Sequence, residues 1–200
     1  RSGAHSEDVL HVAQVKGLRL NDVTVAAAPN DAIDLELVSG EVRNVQVLGA
    51  ADDCLDLMGA KLRVYDTVLL ACQNNGVSAG EETELDAHRL LVAGSRTGVL
   101  AKNGSGVRLT ESVVFRTRTA LRTKGGDRYY PAASAIRAEN FHAVECDDVR
   151  DGAPKTAIEA TQVHTSLTPG SAAERWLNQV LRVDHRDVFE PRVAREGQPR

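Results

Sequence analysis

Short runs of alternating apolar and polar residues recur along this chain, each broken by Gly, Asn, Asp or Ser. Leu18, Leu20, Val23 and Val25 form one run, and Val42, Val45 and Val47 the next. Leu62, Val64 and Leu69, then Leu85, Ala87, Leu90 and Val92, then Val107, Leu109 and Val114 continue the series. Alternation at period two over so few residues predicts β-strands joined by turns. No window here offers helical spacing long enough to compete.

Between these runs a second motif returns every 22 residues. Asp31-Ala32-Ile33-Asp34-Leu35 recurs as Asp53-Cys54-Leu55-Asp56-Leu57, Asn75-Gly76-Val77-Ser78-Ala79, Thr97-Gly98-Val99-Leu100-Ala101 and Thr119-Ala120-Leu121-Arg122-Thr123. An earlier copy, Asp8-Val9-Leu10-His11-Val12, stands 23 residues ahead of the first. The residue before the aliphatic anchor stays small or nearly so, and the anchor never turns polar. Such a period marks a solenoid, in which each turn of chain buries its apolar side only against the turns above and below. A coil of two or three short strands needs roughly 20 to 25 residues, and the Leu-rich consensus with an Asn ladder of leucine-rich repeats is missing. Stacked coils lie about 4.8 Å apart, so like positions become ladder neighbours. The polar column Asn21, Asn44, Asp66, His88 and Thr110 fits a corner, where such residues satisfy backbone groups or accept unusual dihedrals.

The wording becomes specific at Asp52-Asp53-Cys54-Leu55-Asp56-Leu57, Leu62-Arg63-Val64-Tyr65-Asp66-Thr67, Asn75-Gly76-Val77-Ser78-Ala79-Gly80-Glu81 and Gly98-Val99-Leu100-Ala101-Lys102-Asn103-Gly104-Ser105. It resembles right-handed parallel β-helix repeat proteins over residues 5 to 125. Within them it is most similar to the β-helix modules that accompany CotH-like and lamin-tail-like domains in bacterial surface and secreted proteins. The resemblance implies an all-β, right-handed parallel β-helix of about seven coils in the extracellular space or cell envelope. The wider superfamily includes pectate lyases, polysaccharide hydrolases and alginate epimerases, so sugar polymers are the implied ligand class. The chain carries neither the Asp-Pro-His-Asp motif of the epimerases nor the Arg-x-Pro-x-x-Arg signature of pectate lyases.

The pattern changes beyond residue 123. Lys124-Gly125-Gly126-Asp127-Arg128-Tyr129-Tyr130-Pro131 interrupts the period and holds the only paired aromatics. An insertion over 124–135 leaves the side of the solenoid, and loops on rigid scaffolds favour binding; a flap over one sheet face is the alternative. Strand patterning resumes at Ile136, Phe141 and Ala143, and again at Thr156-Ala157-Ile158-Glu159-Ala160. Ser171-Ala172-Ala173-Glu174 reads as a capping box opening a helix to about Leu181, with Trp176, Leu177, Val180 and Leu181 on one side. That helix is expected to cover the open end of the stack, where core and strand edges are exposed, with a partner-binding helix as the alternative. The division is therefore a β-helix over 1–165 and a cap helix with a charged, fraying tail over 166–200.

Composition narrows the partners. With 200 residues, 42% of them hydrophobic, the chain fills one elongated core, and at 4% aromatic that core is built from aliphatic ladders. A formal charge of −4 argues against a nucleic-acid binder. No apolar run approaches 18 residues, so no membrane insertion is expected. Arg1-Ser2-Gly3 reads as the cut edge of a longer chain, whose other domains are possible partners. The three cysteines, Cys54, Cys72 and Cys146, do not make the even framework of a disulfide-stapled domain. Cys54 and Cys72 occupy small-residue columns, and packing is their expected role.

If Ile33 and Leu35 point inward, alternation sends His11, Asp34, Asp56, Ser78, Leu100 and Arg122 outward, and beside them Ala13, Glu36, Met58, Gly80, Lys102 and Lys124. Three kinds of chemistry fit these columns. Asp34 and Asp56 on adjacent coils would bring their carboxylates to about 5 Å, the separation of a retaining glycosidase pair, and their repulsion would raise one pKa. Lys102 or Arg122 could instead offset a uronate carboxylate while another group takes the C5 proton. These four are the catalytic candidates, and His11, Glu36, Lys124, Arg128, Tyr129 and Tyr130 the substrate-binding ones. A calcium site drawing on His11, Asp34, Asp56, Asp31, Asp52 and Asp53 is the second possibility, but the turns lack the Gly-Gly-x-Gly-x-Asp repeat, and neither metal nor cofactor is expected. His5, His142, His164 and His185 have no metal spacing and read as surface or local hydrogen-bonding groups. The third possibility, a rod for recognition or scaffolding on polysaccharide, is the favoured expectation, with a lyase, epimerase or hydrolase as the alternative. An enzyme should show a groove walled by the insertion and converging carboxylates; a scaffold should show a flat face with solvated ones.

Overall fold

The computed structural model describes residues 8–182. Residues 1–7 and 183–200, with His5, His185 and the expected tail, lie outside the described residues, as does the side chain of Leu181. The strands run coil by coil. The first coil holds β1 (Leu10–Ala13), β2 (Lys16–Asn21) and β3 (Thr24–Ala28), and the second β4 (Ile33–Glu36), β5 (Ser39–Arg43) and β6 (Gln46–Ala50). The third has β7 (Leu55–Met58) and β8 (Lys61–Cys72), and the fourth β9 (Asn75–Gly80) and β10 (Glu84–Ala93). The fifth has β11 (Thr97–Ala101), β12 (Gly106–Thr110) and β13 (Val113–Phe115). Next come β14 (Thr119–Thr123) and β15 (Ala135–Val144), then β16 (Asp148–Gly152) and β17 (Ala157–His164), followed by helix α1 (Ala172–Arg182).

The pairings are parallel, as the repeat requires. A seven-stranded sheet, β1-β4-β7-β9-β11-β14-β16, forms the first face. A ten-stranded sheet bends around the other two sides. Its second face comprises β2, β5, β12 and the first halves of β8, β10, β15 and β17; its third comprises β3, β6, β13 and the second halves of the same long strands. The result is a parallel β-solenoid of about seven turns. Ile33, Leu55, Val77 and Val99 stack in direct register and are almost wholly buried. The small column before them has a steric reason. A Cβ on Gly76 would stand 2.2 Å from Val92 Cγ1, and one on Gly98 would stand 2.6 Å from Val114 Cγ1.

The corner between second and third faces turns on residues with positive φ: Asp22, Asn44, Asp66, Arg89, Glu111, Asn140 and Gln162. Asn44 and Asp66 fall where the sequence places them, and the other three expected positions are one residue early. Two of these follow from a longer step: Lys61 pairs Glu84 while Met58 pairs Gly80, so one extra residue enters the turn after Gly80. Buried Thr83 satisfies that turn, donating its hydroxyl to Gly80 O at 2.7 Å and accepting the Ala60 N–H at 3.1 Å.

Two expectations change. Cys54 and Cys72 form a disulfide, with Cα atoms 5.5 Å apart, instead of packing as thiols. Cys54 opens the first face and Cys72 closes the third, so the bond fastens one coil into a ring within the core. Helix α1 forms with its capping box, Ser171 Oγ accepting the Glu174 N–H at 3.1 Å. It lies along the third face, not over the end of the stack. Leu177, with Trp176 and Val180, packs on the outward side chains Val68, Leu70, Leu91, Val113, Phe115 and Val144. Consecutive apolar residues in β8, β10 and β13 reflect this burial on both sides of the sheet.

Candidate functional site

The first face delivers the predicted columns. His11, Asp34, Asp56, Ser78, Leu100 and Arg122 are consecutive register partners. They are less solvated than alternation alone implies: Asp34 is 7% exposed, Ser78 0% and Leu100 3%. His11 Nδ1 lies 2.7 Å from Asp34 Oδ2, which raises the imidazole pKa through that hydrogen bond. Asp34 nonetheless rises above the usual carboxylate range, because burial outweighs the His11 hydrogen bond. Asp56 rises for the same reason, against the opposing pull of the Ser78 hydroxyl and the Lys102 ammonium. Asp34 Oδ1 and Asp56 Oδ1 are buried without a hydrogen-bond partner among the described residues.

Glycine at position 80 shapes the Lys102 approach. A Cβ there would stand 2.7 Å from Lys102 Cε, so the lysine stem lies across Gly80 toward the coil of Asp56. Arg122 is not part of this group. Three coils separate it from Asp56, about 14 Å at ordinary strand spacing, and its Nε is 2.9 Å from Asp151 Oδ2. Glu36 is half-buried on the neighbouring column beside Met58. Lys124 is exposed at the root of the insertion, its N–H bound to Ala101 O.

The insertion leaves at the corner between first and second faces, where Ser134 Oγ accepts the Gly104 N–H at 3.1 Å. Asp127 Oδ1 accepts the N–H groups of Tyr129 and Tyr130, holding the tip in an Asx-type turn. Tyr129 is 69% exposed with the Arg128 guanidinium 4.5 Å from its ring centroid, while Tyr130 is half-buried.

At the entry to the first face a second ladder forms. Asp8 Oδ1 accepts the Asp31 N–H, Asp31 Oδ1 accepts the Asp53 N–H at 2.8 Å, and Asp53 Oδ1 accepts both the backbone and side-chain N–H of Asn75 at 2.8 Å. Burial pushes Asp31 up to about 7 and Asp53 to about 6. Asp31, Asp52 and Asp53 each bring an oxygen within 4.8 Å of the others, and Asp8, His11 and Asp34 form a similar group. In the first group one oxygen of Asp31 and one of Asp53 already serve this backbone ladder.

Sequence reasoning overlooked the second face. A cleft of about 610 Å³ opens on its outer side, lined by Lys61, Arg63, Glu84, Asp86, Arg108 and Arg137, with Gly106 and Ala135 among its small residues. A smaller cleft of about 240 Å³ continues past Arg108 and Arg137. Alternating charge in Lys61-x-Arg63 and Glu84-x-Asp86 was the available signal. His142 and His164, expected to be isolated, stack with ring centroids 4.6 Å apart. They border a third cleft of about 410 Å³ beside the start of α1.

The architecture defines a class, the parallel β-solenoid repeat proteins, here with polar columns on two faces and a helix along the third. No protein-family model matches the chain, and neither a curated protein nor a solved structure shows significant similarity to it. Among the described residues, no helix is long and apolar enough to cross a membrane.

Proposed function

We propose that this chain is a polysaccharide-associated β-solenoid module of the extracellular space or cell envelope, acting in recognition or scaffolding. Its kind would be that of the modules accompanying CotH-like and lamin-tail-like domains in bacterial surface proteins. The observation that carries the reading is the open cleft of the second face. Its lining comes from β5, β8, β10, β12 and β15, five adjacent strands. At ordinary strand spacing they span about 19 Å, a shape suited to a linear polymer lying along the stack. The Cys54–Cys72 bond supports an oxidising compartment, where disulfides form and persist.

A catalytic reading rests on a different observation, the raised Asp34 and Asp56 carboxylates with Lys102 leaning toward the coil of Asp56. In that reading one protonated carboxyl acts as acid beside an ionised partner, on a lyase, epimerase or hydrolase substrate of acidic sugars. Glycan-array binding followed by incubation with the bound polymer separates the two. Binding without turnover is the expected result. Unsaturated uronate absorbance or new reducing ends, abolished by Asp56→Asn, would replace the module with an enzyme, and absence of any binding would remove both.

A further inference from the structure

The second face carries one charged column whose order is unusual. Arg19, Glu41, Arg63, Asp86, Arg108, Arg137 and Glu159 are successive register partners. Charge alternates until Arg108 and Arg137, which stand side by side. Like charges in direct register destabilise a sheet, and alternation elsewhere in the column relieves this. Arg63 pairs Glu41 at 2.7 Å and Arg137 pairs Glu159 at 3.1 Å. The Arg108 side chain has no hydrogen bond or ion pair within the described residues, although Asp86 is its register neighbour. The adjacent column is Gly106 and Ala135 at these two coils, where the preceding coils carry Lys61 and Glu84. Loss of those long side chains opens the surface in front of the two arginines, and both guanidinium groups line both clefts.

We infer that Arg108 and Arg137 form an anion clamp that takes a carboxylate of a uronate-rich polysaccharide lying across the second face. The inference rests on the polysaccharide reading above and adds the ligand class and its anchoring residues. Guanidinium forks match carboxylate geometry and bind it through charge-assisted hydrogen bonds. An anion between the two also removes their mutual repulsion. The cleft is only moderately cationic, since Glu84 and Asp86 share it with four basic side chains. That balance suits a polymer with one carboxylate per sugar and disfavours a densely sulfated one. Asp86 competes with the ligand for Arg108, so its removal should tighten binding.

The test is titration calorimetry of the whole chain with polygalacturonate, dextran sulfate and neutral dextran at low and high salt. Expected are salt-sensitive binding of polygalacturonate and weaker or no binding of the other two. Arg108→Gln and Arg137→Gln should each weaken it at least tenfold, with Arg108→Lys intermediate and Asp86→Asn tighter than wild type. Because Arg108 is exposed and unpaired, thermal stability of Arg108→Gln should match wild type; should it fail to fold, Arg108→Lys and Asp86→Asn carry the test. Equal binding of polygalacturonate by these variants overturns the clamp and leaves the polysaccharide reading standing. Preference for dextran sulfate overturns the carboxylate assignment, and no binding to any of the three polymers or on a wider glycan array overturns both readings.

Discussion

Replacing Asp31 by Asn should make the protein more stable at pH 8 and flatten its response to pH. Asp31 rises to about 7 in the folded chain, against about 3.9 for an unperturbed carboxyl. The folded state therefore holds this proton more tightly than the unfolded one. The associated stability is fully present below about pH 4 and is lost as pH rises through 7. A tenfold difference in proton affinity is worth about 1.4 kcal/mol, so an isolated site so displaced would contribute about 4 kcal/mol. Asp31 is only half-buried, and solvent screening reduces this to roughly 1 to 2 kcal/mol. Asn keeps an oxygen for the Asp53 N–H, now bound to Asp31 Oδ1 at 2.8 Å, and brings no charge beside Asp53. The gain at pH 8 should appear as a rise in Tm of about 3 to 6 °C for a chain of this size, shrinking toward zero by pH 4.5. Comparing variant with wild type at each pH cancels the contributions of Asp34, His11 and His142, which also titrate, while Asp53 and Asp56, whose charges help to raise Asp31, stay coupled to it. A variant less stable than wild type at pH 8 would refute the reasoning, because the charged carboxylate would then be holding the corner together.

Reducing the Cys54–Cys72 bond, or replacing both residues by Ala, should lower unfolding stability by about 2 to 3 kcal/mol, since the bond closes an 18-residue separation; denaturant melts with and without reductant measure it, and no change would place the stabilising contacts elsewhere. Ala32 and Ala50 fill the equivalent columns one coil earlier, so the double variant should still fold. Gly76→Ala should cost about 1 to 3 kcal/mol through overpacking against Val92. A thermal melt indistinguishable from wild type would show that the coil can widen there.

The first face was legible because in-register stacking imposes one residue type on each slot. A polar side chain at Val77 would be sealed between Leu55 and Val99 with no water, and a large one at Gly76 would strike Val92. Such slots write themselves into sequence as a fixed period. Features that connect different columns leave no such mark. Cys54 and Cys72 belong to separate ladders and meet only because the coil closes. The position of α1 depended on reading Val68-Leu69-Leu70, Leu90-Leu91-Val92-Ala93 and Val113-Val114-Phe115 as strands buried on both sides, and the alternating template reads only the inward half of each. The charged column was hidden by changing steps: Lys61 to Glu84 is 23 residues, and the insertion makes Gly106 to Ala135 longer still. At a rigid spacing of 22, Arg108 and Arg137 never align.

Separation of the two polar faces bears on which chemistry the solenoid supports. A uronate lyase or epimerase needs a cation on the sugar carboxylate and a base at the adjacent carbon, both within contact of one sugar ring. Here Arg108 and Arg137 stand on the second face, while the raised carboxyls Asp34 and Asp56 stand on the first. The inward ladders of both sheets lie between them. On the first face, Arg122 is held by Asp151, so Lys102 remains as the cation near Asp56. A polymer clamped as proposed by Arg108 and Arg137 would lie against Glu84 and Asp86 and not against Asp34 and Asp56, and a polymer on the first face would meet no arginine fork. The proposed clamp and the raised carboxyls therefore serve different ligand positions. A variant test follows from that division: Asp56→Asn should leave polygalacturonate affinity unchanged while Arg108→Gln weakens it at least tenfold, and a loss of affinity in Asp56→Asn would mean that the polymer occupies the first face after all.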